Sequence, residues 1–441
     1  VVPEAAESIL GDGGIQVIKS YPRHAINLDM SAYVKYTELL RDGELSEGRG
    51  ILEFEKAWSE FVGAANTVAV GSARAGFYLT LRGMGIGPGD EVIMPAYTFP
   101  SMPAAVAATG ARPVFVDVDA KSYNLDPELT KGAVTGKTKA IVVAHLFGRA
   151  AQVERLREIA DAAGASLIED CAHAAGAVKS LRRVGSFGDA AVFSFGIGKN
   201  MPCFGGGAIT FADRELAGKV RKLVGSSPAP EDIEVHRKVW SSLPAFVGTR
   251  KHVFPWTLYV AARVLDSAGS DAMDRAVREP LEKTTHFSLR ALGRMSNLQA
   301  SVALQQIEKL PARNATLARN GRYLAELLEG VEGVTPPGVV EGEEHIYLYF
   351  RILVDGVGRF RTLLLKKGID TQADDMADCA GLEAFKEYRA DCPVAASLPG
   401  RSIELPNNVL MTRGDFDYVA RCVREAAQEI AAPEGAGKQN T

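Results

Sequence analysis

Phe193-Ser194-Phe195-Gly196-Ile197-Gly198-Lys199-Asn200, followed closely by Gly205-Gly206-Gly207, is the stretch that decides the fold. Upstream, the apolar run Ala165-Ser166-Leu167-Ile168 ends in Glu169-Asp170-Cys171-Ala172-His173. An acid at a strand end, followed by a lysine in a loop of small residues, suits a pyridoxal phosphate (PLP) site. The lysine amine can hold the cofactor aldehyde as a Schiff base, and the aspartate can keep the pyridine nitrogen protonated. Alone, such a lysine reads as a solvated surface residue and such an acid as a helix cap. Their order, spacing and flanking strands together carry the argument.

Outward from this stretch, short apolar runs alternate with amphipathic ones between about residues 65 and 212. Strands are predicted at Thr67–Val70, Glu91–Met94, Pro113–Val118, Ala140–Ala144, Ser166–Glu169, Ala190–Phe195 and Gly207–Phe211. Helices are predicted at Ala75–Gly83, Met102–Ala108, Val153–Ala163 and Asp213–Leu223. This alternation implies an α/β fold with a mostly parallel seven-stranded sheet covered on both faces. Ligands of such sheets sit beyond the strands' carboxyl ends, where Asp170 and the Lys199 loop both fall.

The expected organisation is an N-terminal arm (1–64), a large domain (65–290) and a smaller C-terminal α/β domain (291–432), with a disordered tail (433–441). Residues 224–290 read as an irregular, partly helical insertion within the large domain. In the C-terminal part, helices are expected at Leu298–Leu310, Arg313–Glu329 and Tyr418–Ala431, and a strand at His345–Val354.

Composition is that of an ordinary globular protein: 441 residues, 46% hydrophobic and 24% charged. A formal net charge of -4 argues against a generic nucleic-acid binder. Five scattered cysteines without a CxxC pair suggest reduced thiols, and no metal site is expected. The first residues lack the basic and apolar regions of a signal peptide, and no apolar run reaches the roughly 18–20 residues that span a bilayer. A cytoplasmic location is the expectation. The sequon Asn314-Ala315-Thr316 reads as a chance match.

An ordered set of motifs spans the chain. It comprises Gly43 to Glu55, Gly71-Ser72-Ala73-Arg74-Ala75, Glu91 to Phe99, Pro113 to Val118, His145-Leu146-Phe147-Gly148, Glu169 to His173, Gly188-Asp189, Ser194 to Asn200 and Gly205-Gly206-Gly207. In these the chain resembles the DegT/DnrJ/StrS group of fold-type-I PLP-dependent aminotransferases, over about residues 36–223 and 292–430. The resemblance implies that Lys199 binds the cofactor and shuttles the proton, that Asp170 pairs with the pyridinium nitrogen, and that His173 contacts the phenolic oxygen. It places Phe99 against the pyridine ring and the phosphate at the backbone of Ala73 and Arg74, helped by Ser194. It also implies a homodimer whose active sites are built from two chains. A related dehydratase branch carries histidine in place of the lysine, so Lys199 favours transamination.

Several positions depart from the family pattern. Ala73-Arg74 replaces a usual Gly-Thr, and Arg74 could face either the phosphate or a substrate anion. Leu292 stands where an asparagine usually reaches the neighbouring subunit's phosphate, and Asn297 where Asp is usual. Asn407-Asn408 and Ala373-Asp374-Asp375-Met376 replace stretches that lie near the acceptor in the family. Within the insertion, residues 236–265 interleave Arg237, Lys238, Arg250, Lys251 and His252 with aromatics. That pattern suits a lid or packing segment, or a peripheral membrane contact. The expected function is transfer of an amino group from an L-amino acid, glutamate or glutamine, to a ketone acceptor, with a sugar nucleotide favoured. The alternatives are a PLP-dependent dehydratase, epimerase or lyase, and a non-catalytic PLP-binding relative.

Overall fold

The computed structural model describes residues 19–266, 281–338, 345–373 and 376–432. The first eighteen residues, part of the insertion, Asp374-Asp375 and the tail beyond 432 lie outside that set.

Seven strands form the main sheet: β1 (Asn66–Val70), β2 (Glu91–Pro95), β3 (Arg112–Val116), β4 (Thr138–Ala144), β5 (Ser166–Asp170), β6 (Ala190–Ser194) and β7 (Gly207–Phe211), in spatial order β1-β7-β6-β5-β4-β2-β3. Only β7 runs against its neighbours β1 and β6; the other pairings are parallel. The two-residue period of a strand sends β4 side chains alternately into two cores. Ala140, Val142 and Ala144 join the main cluster, while Ile141 and Val143 meet Val153, Leu156 and Ile159 of the helix Val153–Ala163 on the opposite face. Burial on both faces explains the near-continuous apolar runs that betray these strands in the sequence.

A second sheet, β8 (Val334–Thr335), β9 (Phe350–Val354), β10 (Gln372–Ala373) and β11 (Ser402–Leu405), has order β8-β9-β11-β10 and is antiparallel throughout. Its core joins Ile352 and Ile403 to Leu324, Phe360, Phe416 and Val419 from three covering helices. Helix Asn297–Ile307 packs instead on the large-domain core through Leu298 and Val302. Residues Ala377-Asp378 also cross back, pairing antiparallel with Tyr97-Thr98.

One expectation changes and another gains detail. The strand predicted at His345–Val354 begins only at Phe350, because Tyr347 takes φ 47° and Ile346 and Tyr349 donate their N–H groups to the loop at Gly148 and Phe147. The helical part expected within the insertion includes a 17-residue helix, Asp232–Gly248. Val235, Val239, Ser242 and Phe246 form its buried stripe. That stripe rests on helix Met30–Asp42, with Tyr36 Oη 2.8 Å from His236 Nδ1 and Tyr33 Oη 3.1 Å from Ser242 Oγ. Among the cations of this segment, Arg250 lies over the Phe246 ring and donates to the Leu28 carbonyl, and Lys251 pairs with Asp415. Trp240 and Trp256 face outward, 60% and 53% exposed. No helix among the described residues is long and apolar enough to cross a membrane.

Candidate active site

A cavity of about 350 Å³ opens at the carboxyl ends of β5 and β6. All seven site residues predicted from sequence line it: Ala73, Arg74, Phe99, Asp170, His173, Ser194 and Lys199. They come from four separate stretches of chain, brought together by the sheet.

Alternation along β6 explains Ser194. Phe193 and Phe195 turn into the core against Phe54 and Trp58, with ring centroids 5.1–5.6 Å apart in edge-on pairs, so the serine between them faces the cavity. The Lys199 loop then closes on itself: the N–H groups of Cys203 and Gly205 both donate to the Phe195 carbonyl. Phe204, Gly205 and Gly206 all have positive φ, and the two glycines take it at little cost. Asn200 pins the loop from below. Its Nδ2 donates to the Ala175 carbonyl and to Asn314 Oδ1, at 2.8 and 2.9 Å. Asn314 is therefore a buried anchor of the lysine loop, which accounts for the sequon without glycosylation.

The adjacent acids of β5 point to opposite sides and do opposite things. Glu169 is fully buried and accepts hydrogen bonds from the N–H groups of Gly185, Phe187 and Gly188 at 2.7–2.8 Å. His145 completes its shell: Ala151 N–H donates to Nδ1, leaving Nε2 to donate to Glu169 at 3.0 Å. His145, Glu169 and Cys171 are close enough to hold a metal, but the donors already engaged by Glu169 and His145 leave no lone pair aimed at one. Asp170 faces the cavity and accepts one bond, from Ala172 N–H at 3.0 Å. Burial pushes its carboxyl above the ordinary value, opposed by that N–H and by the charge of Lys199.

His173 is 8% exposed, and its Nδ1 accepts from Phe147 N–H at 3.4 Å. Burial, reinforced by the charges of Lys199 and Arg351, holds the imidazole well below its usual value. The ring is thus neutral at physiological pH, with its proton on Nε2. Tyr349 packs edge-on to it at 4.9 Å and brings its hydroxyl within 3.5 Å of Lys199 Nζ. Sequence reasoning missed Tyr349, because a tyrosine in an apolar run reads as core until the bend at Tyr347 is known.

On the facing side, Ser72 caps the helix Ala73–Gly83 by accepting from Ala75 N–H, and the helix N-terminus lines the cavity. Gly207 backs this turn so closely that a Cβ there would lie 2.8 Å from Ala73 N. Phe99 lines the cavity, with the Arg74 guanidinium 5.9 Å from its ring centroid. Two further wall residues come from outside the large-domain sheet: Met376 and Lys238.

The departures separate into two kinds. Asn297 is structural: Oδ1 accepts from Gly50 N–H at 2.9 Å and Nδ2 donates to the Glu44 carbonyl at 2.7 Å, the second of which an Asp could not do. Asn407 and Asn408 stitch the small domain, donating to the Tyr347 carbonyl and accepting from Leu410 N–H, and do not line the cavity. Arg74 and Met376 do line it.

The profile of the DegT/DnrJ/EryC1/StrS aminotransferase family matches residues 28–249 and 257–424. The chain belongs to this family. It is 43% identical over 404 residues to the spore coat polysaccharide biosynthesis protein SpsC of Bacillus subtilis, covering 88% of this chain and 92% of that one. It is 28% identical over 391 residues to GDP-perosamine synthase of Caulobacter vibrioides, covering 85% and 89%. Among solved structures it is similar to DesV of Streptomyces venezuelae, at 27% identity, TM-score 0.70 and coverage of 90% and 95%. It is also similar to 3-amino-5-hydroxybenzoic acid synthase, at 26% identity, TM-score 0.71 and coverage of 93% and 100%. The protein is an aminotransferase of fold type I, the fold expected from its sequence.

Proposed function

We propose that the enzyme uses PLP to move an amino group from L-glutamate or L-glutamine to the ketone of a sugar nucleotide. The observation that carries this reading is the convergence of Lys199, Asp170, His173 and a capped helix N-terminus on one cavity. The residues fit the cofactor's parts. The helix N-terminus at Ala73 offers N–H groups and a positive dipole end to a phosphate, and Ser194 adds a hydroxyl. Asp170, with one oxygen engaged by Ala172, can pair with a protonated ring nitrogen. His173 Nε2–H can donate to a phenolic oxygen, and Phe99 offers a ring face.

When bound, PLP supplies an electron sink for the pair released at the amino-bearing carbon. Lys199 Nζ takes the proton from the donor's Cα, and in the second half-reaction delivers a proton to the former ketone carbon. The Tyr349 hydroxyl, donating to the Gly198 carbonyl, holds that amine's approach from one side. Asp170 keeps its charge near the ring nitrogen throughout, and His173, kept neutral, donates without competing for the proton. The donor leaves as a keto acid and the acceptor as an amine, with one water exchanged in each half.

The SpsC and GDP-perosamine synthase relatives support a sugar acceptor. Five buried, unpaired cysteines suit work in the cytoplasm, and the exposed Met30 and Val34 on one helix suit a homodimer contact. The test is visible absorbance of PLP-loaded protein before and after L-glutamate. A yellow lysine-bound band that bleaches with glutamate supports the reading. A band indifferent to both glutamate and glutamine contradicts the proposed donor, and no band contradicts the site.

A further inference from the structure

We propose that Lys238, carried into the cavity by the inserted helix Asp232–Gly248, is a phosphate-binding residue of this active site. The inference rests on the reading above and extends it. Lys238 neighbours Val239 of the buried stripe and lines the same cavity as the Ala73 helix terminus and the Gly205-Gly206 turn. Unlike Arg250 and Lys251 further along the insertion, its ammonium makes no hydrogen bond or ion pair among the described residues. Glu234, one turn earlier, contributes only a distant attraction. Partial burial lowers the lysine from its ordinary value, as expected of a cation drawn out of water without a partner.

The charge balance of the walls points the same way. Among the described residues of the walls, Arg74, Lys199 and Lys238 face a single carboxylate, Asp170, and a helix N-terminus adds further positive potential. In the reading above Asp170 is set aside for the ring nitrogen of the cofactor. A phosphate group, carrying close to two negative charges, would neutralise what remains. Lysine suits this task as a compact, mobile point charge. The phosphate has two possible sources in the proposed reaction: the cofactor, or the diphosphate of the nucleotide sugar.

The test compares wild type, Lys238→Met and Lys238→Arg. Affinities for PLP and for pyridoxal are read on apoprotein by quenching of tryptophan fluorescence, and for dTDP and GDP by calorimetry on holoprotein. Lys238→Met should weaken one phosphate ligand about tenfold or more, and Lys238→Arg should restore most of it. A loss for PLP without a loss for pyridoxal assigns the cofactor phosphate; a loss for the nucleotides alone assigns the acceptor. Unchanged affinities for all the phosphate ligands, or an equal loss for pyridoxal, overturn the proposal. If wild type binds PLP with no yellow band, the functional reading fails instead, while the fluorescence comparison still decides Lys238.

Discussion

The two walls of the cavity are built by different means. One wall is the strand-end wall, where β5 and β6 set Asp170 and Ser194 by strict alternation and a hydrogen-bonded loop fixes Lys199. The other is the inserted helix, whose place depends on tertiary contacts with Tyr33 and Tyr36. Local pattern determines the first, so its residues are specified by sequence at short range. Packing determines the second, so chemistry can be added there without disturbing the sheet. Under the proposed function, the conversion chemistry falls on the strand-end wall and ligand selection on the other.

The largest effect expected is on the strand-end wall. Lys199→Ala should lower glutamate-dependent formation of the pyridoxamine form by about 10⁴-fold or more, measured in single-turnover absorbance, with the unfolding temperature little changed. The adjacent acids should split cleanly. Asp170→Asn should cost about 10²–10⁴-fold in the same assay while leaving the apoprotein stable. Glu169→Gln should lower stability by about 2–3 kcal/mol in urea unfolding, because its amide opposes the Gly185 or His145 donors. Equal effects of the two substitutions on activity and stability would break the distinction between facing the cavity and facing the core.

Asn297→Asp sharpens the comparison at a joint between the arm and helix Asn297–Ile307. It removes the donor to the Glu44 carbonyl and should cost about 1–3 kcal/mol in urea, with no change in PLP affinity. The smallest effect concerns pH. Burial holds His345 well below its usual value, so the unfolded chain binds a proton that the folded one refuses. The stability it supports is present above the unfolded value near 6.5 and is lost as pH falls, with a slope of up to about 1.4 kcal/mol per unit from that one group. His345→Gln should flatten the stability profile between about pH 6.5 and 5 relative to wild type.

Much of this architecture was readable because its signals are local. The seven strands lie within two residues of their predicted ends, since apolar runs bounded by glycine, proline and polar turns are short and distinct. The seven predicted site residues share a cavity because motif order and strand ends put them there. What escaped depends on contacts distant in sequence. Tyr349 reaches Lys199 only because the chain bends at Tyr347, and the placement of the inserted helix rests on a partner 200 residues earlier. Asn314, read as a chance sequon, gains its meaning from Asn200 across 114 positions.

The most direct test of the account is to load the protein with PLP, reduce it with borohydride and map the modified peptide by mass spectrometry. Two cavity lysines compete for the label, Lys199 and Lys238. The account predicts the phosphopyridoxyl group on Lys199, with none on Lys238. Modification of Lys238, or of neither lysine, would contradict it.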